Sequence, residues 1–365
     1  MVIPDHNRTP AEQPAILKRL HSDFRVVEVP LIAPWHADDG EYTHVWLDKG
    51  GWTTFDAERA IGTFFDLPVQ EVGSAGLKDE DGITTQLCSV HRHLTNTDLN
   101  AFNACYQGSS IPFLRLRSIE GYAAYPIRPR SLFGNRFGIV VRNLSAATAE
   151  WMWDSLKNGF HFAMANYYDL QRFGLPGNPP TNHLIGESLV RQDRKLARRL
   201  IKEAGEHDIP PEHDVLEWLE AHHPKILRFY VDAFNSMQWN TLASERFQEA
   251  APKGTHFQLG GMFDLWLPHD LSRCAVEPVL EYESHQWRPE TTTPTLRRSR
   301  QSVITTRIFT DPPVQDPLHP GQMALSVSFL LPSGGYATML MRQLLIRFGI
   351  PMQVDDGRNA SHLDS

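Results

Sequence analysis

Gly73-Ser74-Ala75-Gly76-Leu77-Lys78-Asp79-Glu80-Asp81-Gly82 runs directly into Ile83-Thr84-Thr85-Gln86-Leu87-Cys88-Ser89-Val90. The first stretch, rich in glycine and short polar residues, reads as a turn, and the β-branched run behind it reads as a strand. Upstream, Thr53 or Thr54 can cap a helix on which Ala57, Ala60, Ile61, Phe64 and Phe65 share one face. Before that helix come two further strand candidates, Phe24 to Val29 with Glu28 embedded in it, and Tyr42 to Leu47. Downstream, Leu99, Phe102 and Tyr106 mark one side of a second helix. Gly134-Asn135-Arg136-Phe137 then leads into a strand from Gly138 to Arg142. Strands alternating with helices and hairpin-sized turns point to a mixed α+β sheet domain. Neither a GxGxxG nor a P-loop pattern occurs, which argues against a nucleotide-binding Rossmann repeat.

The middle of the chain has a different texture. One helix is expected over roughly Glu187 to Ala204, and another begins near Lys225 with Ile226, Phe229, Ala233 and Met237 along it. Phe257 to Val279 is β-like and gives way to a Pro/Thr-rich passage ending about Pro294. The strand pattern returns from Leu325 to Leu331 and stops at Pro332, which cannot donate to a sheet ladder. Ser333-Gly334-Gly335 then opens a last helix with Tyr336, Met339, Leu340 and Leu344. The architecture expected is a sheet domain assembled from both chain ends, residues 1–174 and 305–365, with a mostly helical α+β insertion at 175–304.

At 365 residues, 41% apolar and 21% charged, the chain can bury a sizeable core. No window approaches the roughly 18 uninterrupted apolar residues of a membrane helix. Met1 to Pro14 carries neither the basic head nor the apolar segment of a signal peptide. Cys88, Cys105 and Cys274 are an odd number, widely spaced and outside any CxxC pattern, so a disulfide scaffold and a thiolate metal site are not expected. His91-Arg92-His93 and His222-His223 lack the i, i+4 spacing of a helical zinc site. The expectation is a cytoplasmic protein without metal or cofactor. A net charge of −8 gives no sign of nucleic-acid binding, although a locally basic groove would suffice for it.

Six segments, in order along nearly the whole chain, carry a resemblance. They are Leu17-Lys18 with Asp23-Phe24 and Glu28; Gly40-Glu41 with Lys49, Gly51 and Thr54; and Ala75 to Asp79 with Thr84 and Gln86. The others are Gly134 to Phe137, Asn166-Tyr167-Tyr168-Asp169-Leu170-Gln171-Arg172-Phe173-Gly174, and Leu331 to Thr338. Together they resemble the TruD family of pseudouridine synthases. The resemblance implies a cofactor-free isomerase that detaches uracil from ribose, turns it and rejoins it through carbon, most simply in tRNA. Asp79 stands where that family keeps its catalytic aspartate, acting at the sugar as nucleophile or base. Phe137 matches the side chain that stacks on the extruded base, and Asn135 the amide at the carboxylate. Lys18, Glu28, Lys78, Gln171 and Arg172 match other substrate-binding positions.

Each of these residues also has an ordinary reading: Asp79 and Asn135 as turn residues, Phe137 as core. The chain departs from the family pattern at Glu80, where a basic residue is usual, at Gly335, and at Gln343, where an acid is usual. The acids beside Asp79 leave open an alternative, a TruD-like enzyme forming pseudouridine from a free or short uridine nucleotide. A third possibility is a non-catalytic RNA-binding shell. Arg191, Arg194, Lys195, Arg198, Arg199 and Lys202 fall on one helical stripe, and Arg297, Arg298 and Arg300 form a second basic cluster. Of these, Arg191, Arg194, Arg198 and Arg298 are the expected contacts to an RNA backbone. No membrane or protein partner is implied.

Overall fold

A computed structural model describes residues 13–31, 40–106, 111–128, 131–174, 180–205, 208–274, 279–286 and 295–355. The N-terminal stretch and most of the Pro/Thr-rich passage lie outside them. In chain order the elements are β1 (Ala15–Leu17), β2 (Phe24–Pro30), β3 (Tyr42–Gly50), α1 (Thr54–Phe64), β4 (Val72–Ser74), β5 (Ile83–Val90), α2 (Asn96–Tyr106), β6 (Phe113–Ala123), β7 (Leu132–Leu144), α3 (Ala146–Leu156) and β8 (Phe160–Ala165). There follow α4 (Asn182–Val190), α5 (Arg194–Ala204), α6 (Val215–His222), α7 (Pro224–Ala250), β9 (Gly254–Leu259), β10 (Phe263–Pro268), β11 (Val279–His285) and β12 (Thr295–Gln301). The chain closes with β13 (Val303–Thr310), β14 (Val314–Gln315), β15 (Met323–Pro332), α8 (Ala337–Arg347) and β16 (Met352–Val354).

The described chain divides into two compact units. One takes residues 163–305 and 335–344; the other runs from the N-terminal side to Phe162 and adds residues 306–334 and the C-terminal segment from Leu345. Each is therefore discontinuous. The breaks at 162/163 and 305/306 fall inside β8 and β13, which carry the chain from one unit to the other.

The sheet unit is built along the path β6-β3-β5-β2-β7-β15. β2 and β5 are parallel, as are β1 and β16, whereas β2–β7, β3–β5, β3–β6 and β7–β15 are antiparallel. The expected mixed α+β sheet is thus present. On one face Val45, Leu47, Cys88, Val90, Leu114 and Leu116 pack against Ala57 and Ile61 of α1 and Leu99 and Phe102 of α2. Thr53 caps α1 by accepting from the Asp56 N–H, as its position in the sequence suggests. β7 begins earlier than expected, at Leu132, so Gly134-Asn135-Arg136-Phe137 is strand rather than a lead-in turn. Gly134 is dictated by its neighbour there: a Cβ would lie 2.2 Å from the Leu331 carbonyl oxygen. Only glycine lets β15 pass at the register that pairs Gly134 with Pro332.

In the other unit, α4, α5, α6 and α7 enclose Ile185, Leu189, Ala197, Ile201, Leu219, Leu227 and Tyr230. One sequence expectation is corrected. Residues 187–204 are not one helix, because Gln192 takes a left-handed φ of 62° and Asp193 starts a new helix by accepting from the Leu196 N–H. Arg191 consequently stands outside the helix that carries Arg194, Arg198 and Lys202. The buried face of α7 is Leu227, Tyr230, Val231, Phe234 and Trp239, whereas Ile226 and Met237 are half-buried and Phe229 is exposed. The passage after Val279 also contains an antiparallel hairpin, β11–β12, that sequence reading did not anticipate.

Candidate active site

The loop between β4 and β5 presents Asp79, whose side chain is one-third exposed. Lys18 follows β1 in a left-handed conformation with φ 58°, which is costly for a side chain with a Cβ and persists only when its surroundings impose it. Its ammonium is buried, 2.8 Å from Asp79 Oδ2 and 4.0 Å from the centroid of the Phe24 ring. The ion pair and the cation–π contact fix the Lys18 head, and that head fixes the carboxylate.

A second buried pair lies beside the first. Lys78 Nζ sits 2.8 Å from Glu28 Oε2, with both side chains under 5% exposed. Burial raises the pKa of Glu28, and Lys78 opposes the shift. Lys78 and Asp79, adjacent in the chain, therefore turn to separate partners, so Lys78 is not the counter-ion of Asp79. Glu28 lies opposite Asn135 in the β2–β7 ladder, and Val26 lies opposite Phe137. With a side-chain period of two, Glu28, Asn135 and Phe137 share one face of the sheet. Asn135 Oδ1 is buried with no hydrogen-bond partner among the described residues. Phe137 is 7% exposed, its ring centroid 5.9 Å from that of Phe24 and 5.5 Å from that of Phe329.

Lys18, Glu28, Lys78, Asp79, Asn135 and Phe137 thus belong to one linked cluster in the sheet unit. Two residues that the motifs contain, but that sequence reading did not place at the site, complete it. Lys49 is buried in β3 and donates to carbonyls of the Asp79 loop. Thr54 Oγ1 accepts from the Lys78 N–H at 2.9 Å. Little in the sequence signals Lys49: after Asp48 and before Gly50-Gly51 it reads as the turn following a strand that ends at Leu47, whereas β3 runs on to Gly50. Of the extra acids, Glu80 is exposed, which leaves solvent to screen it, and Asp81 is half-buried.

The remaining candidates lie in the other unit. Gln171 is exposed and Arg172 half-buried, on the single turn Leu170–Arg172. The Arg172 guanidinium lies 5.5 Å from the Tyr168 ring centroid, and that of Arg300 lies 4.1 Å from it. Arg300 also donates to Asn166 Oδ1 at 3.0 Å. Burial pushes the pKa of nearby Tyr336 up, which keeps its hydroxyl protonated. Among the basic stripe, Arg191 pairs with Glu187 at 2.8 Å and Arg194 faces Asp214 at 3.6 Å. Arg198 donates to the carbonyls of Ile209, Pro210 and His213, so much of its donor set is committed within the unit. Arg298 is exposed on β12, opposite Tyr282.

Comparison with known proteins places this arrangement. A tRNA pseudouridine synthase D from Sulfurimonas denitrificans is 30% identical over 178 residues, 49% of this chain and 46% of that protein. One from Geotalea daltonii is 28% identical over 273 residues, 63% of this chain and 64% of that protein. The chain thus aligns with roughly half to two-thirds of the length of these curated relatives. In fold it is similar to a TruD structure from Methanosarcina mazei, with a TM-score of 0.55 at 17% identity over 94% of this chain and 95% of that one. The family described as tRNA pseudouridine synthase D (TruD) matches residues 12–210, more than half of the sequence and including Lys18, Asp79 and the segment ending at Gly174, and the chain belongs to that family.

Proposed function

We propose that the protein is a pseudouridine synthase that isomerises uridine in tRNA, with Asp79 as its catalytic carboxylate. The observation that carries this reading is the pairing of Asp79 with Lys18: a carboxylate held by a buried ammonium yet one-third open to solvent. Such a group can reach a sugar while its orientation is kept. In this reading Asp79 acts at the ribose, as nucleophile or as base, while the bond from C1′ to N1 breaks and the bond from C1′ to C5 forms. The C5 proton departs and N1 gains one, so product and substrate are isomers and no co-reactant is consumed. Asn135, with its partnerless Oδ1, is a substrate-facing amide, and Phe137 backs the extruded base. Gln171, Arg172, Arg191, Arg194 and Arg298 serve the RNA from the other unit, with Arg198 contributing what its carbonyl partners leave free. The sheet assembled from both chain ends is the catalytic part and residues 175–304 the inserted one.

Asp79→Asn tests the assignment. Incubated with unmodified tRNA, the wild-type protein is expected to convert uridine to pseudouridine, and the variant to bind tRNA with no conversion; full activity in the variant removes Asp79 from the mechanism. Running UMP beside tRNA separates the RNA enzyme from one acting on a free nucleotide.

A further inference from the structure

Lys49 occupies the penultimate position of β3, and its side chain is completely enclosed. An ammonium group carries three protons and no acceptor. Lys49 Nζ lies 2.8 Å from the Trp52 carbonyl, 2.9 Å from that of Asp79 and 3.3 Å from that of Lys78. Burying a cation on neutral acceptors is costly, and a methionine would fill the same space without that cost. The charge therefore does something the core does not require. Its acceptors join two segments, the connection from β3 to α1 and the loop that holds Asp79. The same loop is tied by Thr54 Oγ1, which accepts from the Lys78 N–H, and by Gly51, whose N–H donates to the Glu80 carbonyl at 3.1 Å. Residues 78–80 are thus held from the backbone side while the Asp79 carboxylate faces Lys18.

We propose that Lys49 is a positioning residue for Asp79: its ammonium locks the backbone of residues 78 and 79 and so sets where the carboxylate points. This rests on the reading of Asp79 as the catalytic group. The hydrogen bonds of Lys49 go to backbone carbonyls, those of Lys78 and Asp79 in the loop and that of Trp52 beyond β3, so its influence passes through the loop rather than to substrate. A displacement of about 1 Å in a reacting group can cost about 10²-fold in rate.

The proposal carries a pH dependence. The groups acting on Lys49 are Asp79, Lys78 and Glu80 of the loop and Cys88 of β5, whose thiol burial pushes up to about 12 and so keeps neutral. Leu114 is its cross-strand neighbour on β6, and the Asp48–Arg117 pair points to the opposite face of the sheet. Burial, partly offset by Asp79, brings the Lys49 pKa down to about 8. Above that pH two protons remain for three carbonyls, and the loop loosens.

Single-turnover conversion of tRNA by wild type and Lys49→Met, followed from pH 6.5 to 9.5, tests this together with hydrogen exchange of the amides of residues 78–80. Lys49→Met is expected to lower the rate about 10²-fold at neutral pH, with KM within threefold, and to lose a decline above pH 8 that wild type shows. In the wild-type protein, protection of the 78–80 amides, corrected for intrinsic exchange, should fall above pH 8 while that of α1 does not. Wild-type rates in Lys49→Met overturn the proposal, as does loop protection unchanged across the range. Should the variant not fold, the exchange of the wild-type protein decides. Failure of the underlying functional reading is visible separately, as absence of pseudouridine with wild type, and leaves the exchange result to judge the Lys49 tether.

Discussion

Lys18 Nζ stands 2.8 Å from Asp79 Oδ2 across 61 residues of sequence, and it reaches that carboxylate from a backbone held at φ 58°. A lysine in this conformation costs on the order of 1 kcal/mol relative to a relaxed one. Lys18→Met removes the charge while keeping the bulk. The folded state should change little, because Asp79 is one-third exposed and water replaces the ammonium. The conversion rate should fall at least tenfold, since the carboxylate loses the group that orients it. Thermal melts and single-turnover assays of the variant check the two halves independently.

Arg142 is the structural counterpart in the sheet unit. It donates to Asp23 through Nε and Nη2 at 2.7 and 2.6 Å, and to Asp316 through Nη1 at 2.8 Å, all three side chains buried. Arg142→Met leaves two buried carboxylates without their cation, and an expected loss of about 3–5 kcal/mol follows. Urea denaturation measures it.

His183 supplies an acid-sensitive element in the other unit. Packed against Phe173 and Phe263, it is buried, and that burial brings its pKa down to about 4 from an ordinary 6.5. Between those values the unfolded chain takes up a proton that the folded one refuses, so stability drops as pH falls from 6.5 towards 4. The part owed to this group is on the order of 3 kcal/mol. His183→Phe should flatten that part of the pH–stability curve, as urea midpoints at pH 7 and 4.5 would show.

Gln343 stands where the resemblance implies an acid. It is fully buried, accepts from the Ala165 N–H and donates to the Ala165 carbonyl, each at 2.8 Å. Gln343→Glu, the family-like change, strands the carbonyl opposite a carboxylate and should cost about 1–3 kcal/mol. An unaltered melting temperature would overturn this expectation.

RNA binding through arginines predicts a strong dependence on salt. Affinity for tRNA should fall by at least tenfold between 50 and 200 mM salt. Replacing Arg298 by alanine should reduce the slope of log K against log salt by about one. Titrations of both proteins with labelled tRNA at several salt concentrations test it.

The sequence by itself settled the elements with strong local signals. The 3.6-residue spacing of Ala57, Ile61 and Phe65 with Thr53 ahead of it specifies α1, and the β-branched runs around Glu28 and Cys88 specify β2 and β5. The order of motifs specified the family. Where local signals were degenerate, they failed. Apolar residues lie on several sides of α7, and only packing against the neighbouring helices selects Leu227 and Tyr230 over Ile226 and Phe229 as its buried side. Thr295–Gln301 carries four charged or amide side chains and no apolar alternation to mark a strand, yet its backbone is claimed by β11. The break at Gln192 depends on a left-handed φ that no glycine announces.

Residue identity could nominate Lys18, Glu28, Lys78 and Asp79, but not decide which cation serves which anion. Nearest neighbours in the chain would pair Lys78 with Asp79; the fold instead pairs Lys78 with Glu28 and brings Lys18 to Asp79. It also turns Lys49 onto carbonyls rather than a carboxylate. Electrostatic partnership falls off within a few ångströms and depends on burial, both of which are properties of strand register and loop path, and these are fixed only when distant segments meet.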